Sequence, residues 1–264
     1  MASRRRWWMV LGALAACGPE ADPQSPALEP QEAVAGFVSE ASFLVPVAEG
    51  LTGFVPGVTP PSVERAAERA AERAPMLFRP LGCATARSAG AGVALAMVNC
   101  RVASGLARVE GTLTGLLAFT YTVRMGGVSA RVESRGLRVG AVRLDSLALD
   151  LDFSYRLGRL RMDVVSEARG TNSRAQMLHR TGRYAAVWEA ATACFALDGS
   201  WLHAGGGMST ITGYRRCGAR CPEPGGRLVY SGSRGTVVLD FQGGTTGRFE
   251  ANGVTGTFPV DCGE

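Results

Sequence analysis

The sequence predicts a mainly β protein: a long antiparallel meander, forming a curved sheet, sandwich or open barrel, with one N-terminal Ala-rich helix. Three observations predict it. From about residue 90 onward, apolar and polar residues alternate with a period of two. Glycine-bearing turns punctuate those runs at regular intervals, as hairpins require. One stretch, residues 62–74, combines helical spacing with strong helix formers.

Taken in order, residues 36–61 are apolar but broken by Gly50, Gly53, Pro56, Gly57, Pro60 and Pro61, and read as an irregular segment lying against the domain. The helix follows in "SVERAAERAAERAP": Ser62 is a suitable N-cap, Ala and Glu favour helix, and Pro75 stops the run. Its four-residue spacing stacks Glu64, Glu68 and Glu72 on one line and Arg65, Arg69 and Arg73 on the next. Like charges therefore repeat at i,i+4. Support must come from Ala propensity and from docking Val63 and the Ala stripe on a core.

The strands begin next. Leu117, Phe119, Tyr121, Val123 and Met125 alternate with small, polar or charged residues, and Gly126-Gly127 ends the run. "VSARVES" alternates again, as expected of a hairpin with one wet face. Leu147, Leu149, Leu151, Phe153 and Tyr155 share the next face, and Leu157-Gly158 turns the chain toward Leu160, Met162 and Val164. Residues 36–165 thus read as helix plus meander. The polar, aperiodic residues 166–183 read as a long connection or a boundary. Beyond it, residues 166–264 form a disulfide-stapled, β-rich C-terminal part, continuous with the first or separate from it. Its strands are "YAAVWEA", "ACFALDGSW", "MSTITGYRRC" and four short ones in the tail.

Seven cysteines divide into Cys17 near the start and six in the folded part. Several pairings are open, and local economy favours Cys83 with Cys100, Cys194 with Cys217, and Cys221 with Cys262. A loop of about 15 residues closed this way gains roughly 3 kcal/mol in the chain-entropy account. The competing reading, a zinc site on Cys217 and Cys221, lacks a second close pair, and His179 and His203 are far apart in sequence.

All 28 basic residues are Arg, and three of them precede the first apolar run. Without those three, 25 basic residues face 23 acidic ones, leaving about +2. That balance excludes a dedicated nucleic-acid binder.

"MASRRRWWMVLGALAAC" has a basic start, a short apolar core and small residues at its end, the layout of an export signal. Its apolar stretch of 10 residues is too short to span a bilayer, which takes about 20. Leu14-Ala15-Ala16-Cys17 resembles the lipobox of bacterial lipoproteins at every position. The resemblance implies removal of residues 1–16 and acyl chains on Cys17, which would hold the protein to a membrane. The alternative is a plain signal cut after Ala15, with Cys17 left as a thiol. Ser3 to Trp8 also resembles a twin-arginine export signal, and Gly18 after the cysteine implies sorting to the outer rather than the inner membrane. Residues 17–35, with four Pro and four acidic residues after the cysteine, read as a disordered tether. The globular part resembles disulfide-paired, β-rich lipoproteins of the Gram-negative envelope through "GCAT…NC" at 82–100 and "CGARCP" at 217–222.

Chemistry is sparse. No G-x-S-x-G, H-E-x-x-H or P-loop occurs, and no motif asks for a cofactor. His179 and His203 are the two candidate bases. Asp150 and Asp152 read as members of a solvated ionic face, paired with Arg138, Arg143, Arg159 or Arg161, and otherwise as a cation site. Trp188, Trp201 and Tyr214 read as core, and otherwise as a sugar platform. The leading expectation is a non-catalytic, lipid-anchored envelope protein with a structural or interaction role. The alternative is a carrier whose apolar ligand lies against Leu117 to Met125 and Leu147 to Tyr155. A hydrolase is third.

Overall fold

A computed structural model describes residues 43, 44, 46–48, 50, 51 and 62–262, apart from 103–111, 125, 126, 141, 157, 173, 174, 190, 205, 218–220, 234 and 261. Cys17, the tether and Met125 lie outside the described residues.

Helix α1, Val63–Arg73, opens as its sequence predicts: the Ser62 hydroxyl accepts a hydrogen bond from the Arg65 amide at 3.1 Å. Ala66, Ala67 and Ala70 are buried, and the Glu and Arg lines face water. A 3-10 turn, Ala74–Leu77, carries Pro75 in its first turn and ends the helical run.

Fourteen antiparallel strands follow. They are β1 (Phe78–Arg79), β2 (Ala84–Ala89), β3 (Gly92–Val102), β4 (Leu113–Arg124), β5 (Gly127–Val139), β6 (Val142–Arg156) and β7 (Arg159–Thr171). Then come β8 (Met177–Glu189), β9 (Cys194–His203), β10 (Met208–Cys217), β11 (Arg227–Gly232), β12 (Gly235–Asp240), β13 (Thr246–Ala251) and β14 (Val254–Pro259). From β3 to β14 each strand pairs with the next in sequence, while β1 and β2 share the outer side of β3. The sheet is an open meander whose last strand pairs on one side alone.

Register aligns the apolar residues into one inner face. Phe119, Val132, Leu149, Ser166, Gly182 and Trp201 follow one another across six strands. Leu117, Phe119, Tyr121, Leu147, Leu149 and Leu151 are buried together on that face, with Phe153 and Tyr155 half-buried at its end. Val123 departs from expectation: it stands near the hairpin end of β4 and is 54% exposed, although Val128 opposite it is buried.

Two readings need correction. The segment 36–61 is not simply irregular: Phe43, Leu44, Pro46, Val47, Ala48 and Gly50 are helical and buried in the core. The Tyr121 hydroxyl donates to the Val47 carbonyl at 2.7 Å, tying this stretch to β4. Gly50, which looked like a breaker, is where the chain crosses closest, since a Cβ there would run into Tyr121, Ala66 and Ala70. Residues 166–183 are not a connection, because β7 and β8 run through most of them and the sheet continues unbroken. Their alternation was hidden because the inner face here carries Ser166, Ala168, Gly170, Arg180 and Gly182, small or polar residues where large apolar ones would mark a core strand.

Three disulfides close Cys83–Cys100, Cys194–Cys217 and Cys221–Cys262, the economical pairing. The second links paired ends of β9 and β10, and the third ties the segment before β11 to the one after β14.

Candidate functional site

The outer face is ionic. Arg131 holds Asp150 across β5 and β6 at 2.7 Å and Glu133 along its own strand at 2.8 Å. Those carboxylates, Glu133 foremost, push the Arg131 guanidinium further toward its charged form. Arg161 pairs with Asp163 at 2.8 Å, Arg143 with Asp145 at 3.0 Å, and Arg124 with Asp152 at 3.4 Å. The partners of Asp150 and Asp152 are therefore Arg131 and Arg124 rather than Arg138, Arg143, Arg159 or Arg161. Arg131 is the direct cross-strand neighbour of Asp150, and Arg124 reaches Asp152 from β4, past the short Ser129 side chain on the intervening strand. Asp150 and Asp152 form ion pairs, and among the described residues no cluster of three or more His, Cys, Asp or Glu is arranged to hold a metal.

Within this face lies a groove of about 560 Å³ spanning β5 to β10. Two outward rows line it. One runs Asp150, Val165, Arg183, Ser200, and the other Ala148, Glu167, Thr181, Leu202, Met208. Gly182 lies between them and presents no side chain. Arg131 closes one end beside Asp150. Glu167 is held by Arg169 at 2.6 Å, with His179 at 3.4 Å, and the Arg169 contact foremost keeps its carboxyl below the usual range. Arg183 is different: it is exposed at mid-groove, between Val165 and Ser200, with no ion pair among the described residues. A planar guanidinium beside apolar Val165, Leu202 and Met208 is suited to an anionic group carried on an apolar body. Sequence reasoning did not single out Arg183, because one Arg among 28 has no signal until register places it.

On the inner face, one end collects polar groups. His203 Nε2 lies 2.7 Å from the Ser209 hydroxyl, Arg180 is the cross-strand neighbour of His203, and the Tyr230 ring meets the imidazole edge-on at 5.5 Å. This is the one Ser–His contact among the described residues that resembles a nucleophile with its base. Its electrostatics oppose that role. Burial and the Arg180 charge push the imidazole down to about 4, so it is neutral at pH 7 and a weak proton acceptor. Ser209 itself is buried. The other candidate base, His179, stands on the outer face of β8 against Glu167 and touches no hydroxyl nucleophile.

The aromatic candidates are core. Trp201 packs against Tyr184 at 5.1 Å over Gly182 and Gly199, and Tyr214 meets Phe241 edge-on at 5.1 Å. Trp188 is buried at the far end of the same face. No sugar could stack on them without unpacking the sheet.

No helix among the described residues is long and apolar enough to cross a membrane. The strands have the reverse of a membrane barrel's polarity, with charge outside and apolar residues within. No family model, no curated protein and no solved structure matches this chain.

Proposed function

We propose that this protein is an exported, lipid-anchored component of the cell envelope, attached through Cys17, that acts without catalysis by binding a partner or ligand on its outer sheet face. Three disulfides carry the compartment part of the reading, because such bonds persist outside the reducing cytoplasm. The leader's resemblance to a lipobox supplies the anchor, with the outer membrane as its expected destination. The groove around Arg183 supports the interaction role, and its chemistry suits a carboxylate or phosphate joined to an apolar moiety.

The test is fractionation in a Gram-negative host with intact-mass analysis. The wild-type chain is expected to start at Cys17 with acyl mass on it and to pellet with outer membranes, while Cys17→Ala loses both. An unmodified Cys17 in a still-joined leader, or six thiols open to alkylation before reduction, would refute the reading.

One observation favours the carrier as a second reading: the Ser166 hydroxyl and the Trp188 indole N–H are buried without a hydrogen-bond partner among the described residues. Against it, the helical residues Phe43, Leu44, Val47 and Ala48, together with α1, already pack on the inner face. Native mass spectrometry of wild type and Arg183→Ala separates the two, since acyl lipid that copurifies with both belongs to the carrier, and a ligand lost from the variant belongs to the outer groove.

A further inference from the structure

The edges of the meander differ. At one, β2 carries the exposed Arg87, and α1 and the 3-10 turn pack against it. At the other, β14 reads Val-Thr-Gly-Thr-Phe-Pro, with no charged residue in the strand. Natural edges are usually blunted by charge, bulge or cover. Among the described residues, most of β14 has none of these.

Its free hydrogen-bonding groups can be assigned. The Val260 amide donates to the Thr245 carbonyl at 2.8 Å, continuing the register that pairs Phe258 with Gly247, Gly256 with Phe249 and Val254 with Ala251. Antiparallel pairs alternate between bonded and non-bonded, so these even-numbered residues bond inward to β13. The amides and carbonyls of Thr255 and Thr257 therefore point away from the sheet, and no partner meets them among the described residues. Proline has no amide to offer at 259.

We propose that β14 pairs antiparallel with β14 of a second copy of this chain about a two-fold axis through Gly256, joining the two meanders into one sheet. Three independent features select that register. Opposing Thr255 to Thr257 of the second copy, and the reverse, uses both free threonine amides and both free threonine carbonyls in four backbone bonds. An axis at Thr257 also makes four, through the Pro259 carbonyls, but leaves both Thr255 carbonyls unpaired, and an axis at Thr255 brings the Thr257 groups against the Gly253 turn. On β13, Glu250 flanks Thr255 and Arg248 flanks Thr257. Each outer row then runs Arg248, Thr257, Thr255, Glu250, with opposite charges at its ends, whereas the other two axes put like charges there. On the inner face, Val254, 64% exposed in the single chain, comes to lie opposite Phe258 of the second copy and extends the core. Because the other edge is charged and packed, the contact closes at two copies rather than growing into a fibre.

The test is sedimentation of the full chain, as its host processes it, in density-matched detergent over roughly 1–100 μM, the range expected for a contact this small. Wild type is expected to pass from monomer to dimer. Thr257→Pro deletes an outward amide without touching the β13 ladder, and is expected to weaken the dimer by roughly tenfold or more while leaving the melting temperature of the monomer, measured at about 1 μM, unchanged. Thr255→Arg places like charge near the axis and should act the same way without proline's constraint. A monomer throughout, oligomers beyond the dimer, or a dimer that neither variant weakens would overturn the proposal.

Discussion

The half-buried imidazole of His203 makes stability depend on pH in a calculable way. Its ordinary value is 6.5, and burial with the Arg180 charge pushes it down to about 4 in the folded protein. A base whose folded pKa is depressed binds its proton more readily when unfolded. Its contribution is therefore whole above 6.5, falls as pH drops from 6.5 toward 4, and is flat below that. At pH 5 the loss is on the order of 2 kcal/mol by linkage, and about 1–2 kcal/mol once solvent at the exposed ring edge is allowed for. Other groups titrate over the same interval, so the comparison is with His203→Gln, whose side chain still reaches Ser209 but does not ionise. Urea denaturation followed by Trp188 and Trp201 fluorescence, with disulfides intact, measures both proteins at pH 7.5 and pH 5. The stability difference is expected to move by about 1–2 kcal/mol in favour of His203→Gln on going to the lower pH. Parallel behaviour of the two would refute the argument, since the imidazole would then titrate alike folded and unfolded.

Two further outcomes follow from packing. Tyr121→Phe keeps the ring but leaves the buried Val47 carbonyl without its 2.7 Å donor, so it should cost about 1–3 kcal/mol in the same assay and make residues 43–51 the first to exchange their amide hydrogens. Gly199→Ala drives a methyl into Tyr184 on the neighbouring strand, which lies over that glycine, and should cost about 1–3 kcal/mol of overpacking; no loss would mean that β8 and β9 are less closely apposed than described.

Much of the fold was legible because antiparallel strands with one wet face write their period into the sequence. Leu117, Phe119 and Tyr121, or Leu147, Leu149 and Leu151, needed no partner to declare which way they point. Cys194–Cys217 followed from the meander, which lays those cysteines on the adjacent strands β9 and β10, whereas Cys221–Cys262 spans β11 to β14 and followed only as the remaining pair. The strands across residues 166–183 were not legible. There Trp201 of the neighbouring strand β9 packs over Gly182, and Ser166 and Ala168 stand on the same face, so the local chain carries only the small half of the packing. The helical residues Phe43, Leu44, Pro46, Val47, Ala48 and Gly50 also went unread: Pro46 and Gly50 disfavour helix locally, and burial against Tyr121 decides the matter.

By itself, the sequence determined the class of fold, most strand faces and the helix cap at Ser62, because each rests on contacts close along the chain, and it favoured the cysteine pairing without fixing it. Only the tertiary structure decided the groove around Arg183, the Arg131 and Arg124 partners of Asp150 and Asp152, the His203–Ser209 contact and the bare edge at β14. Those depend on register between strands, where a shift of one residue turns every side chain to the opposite face.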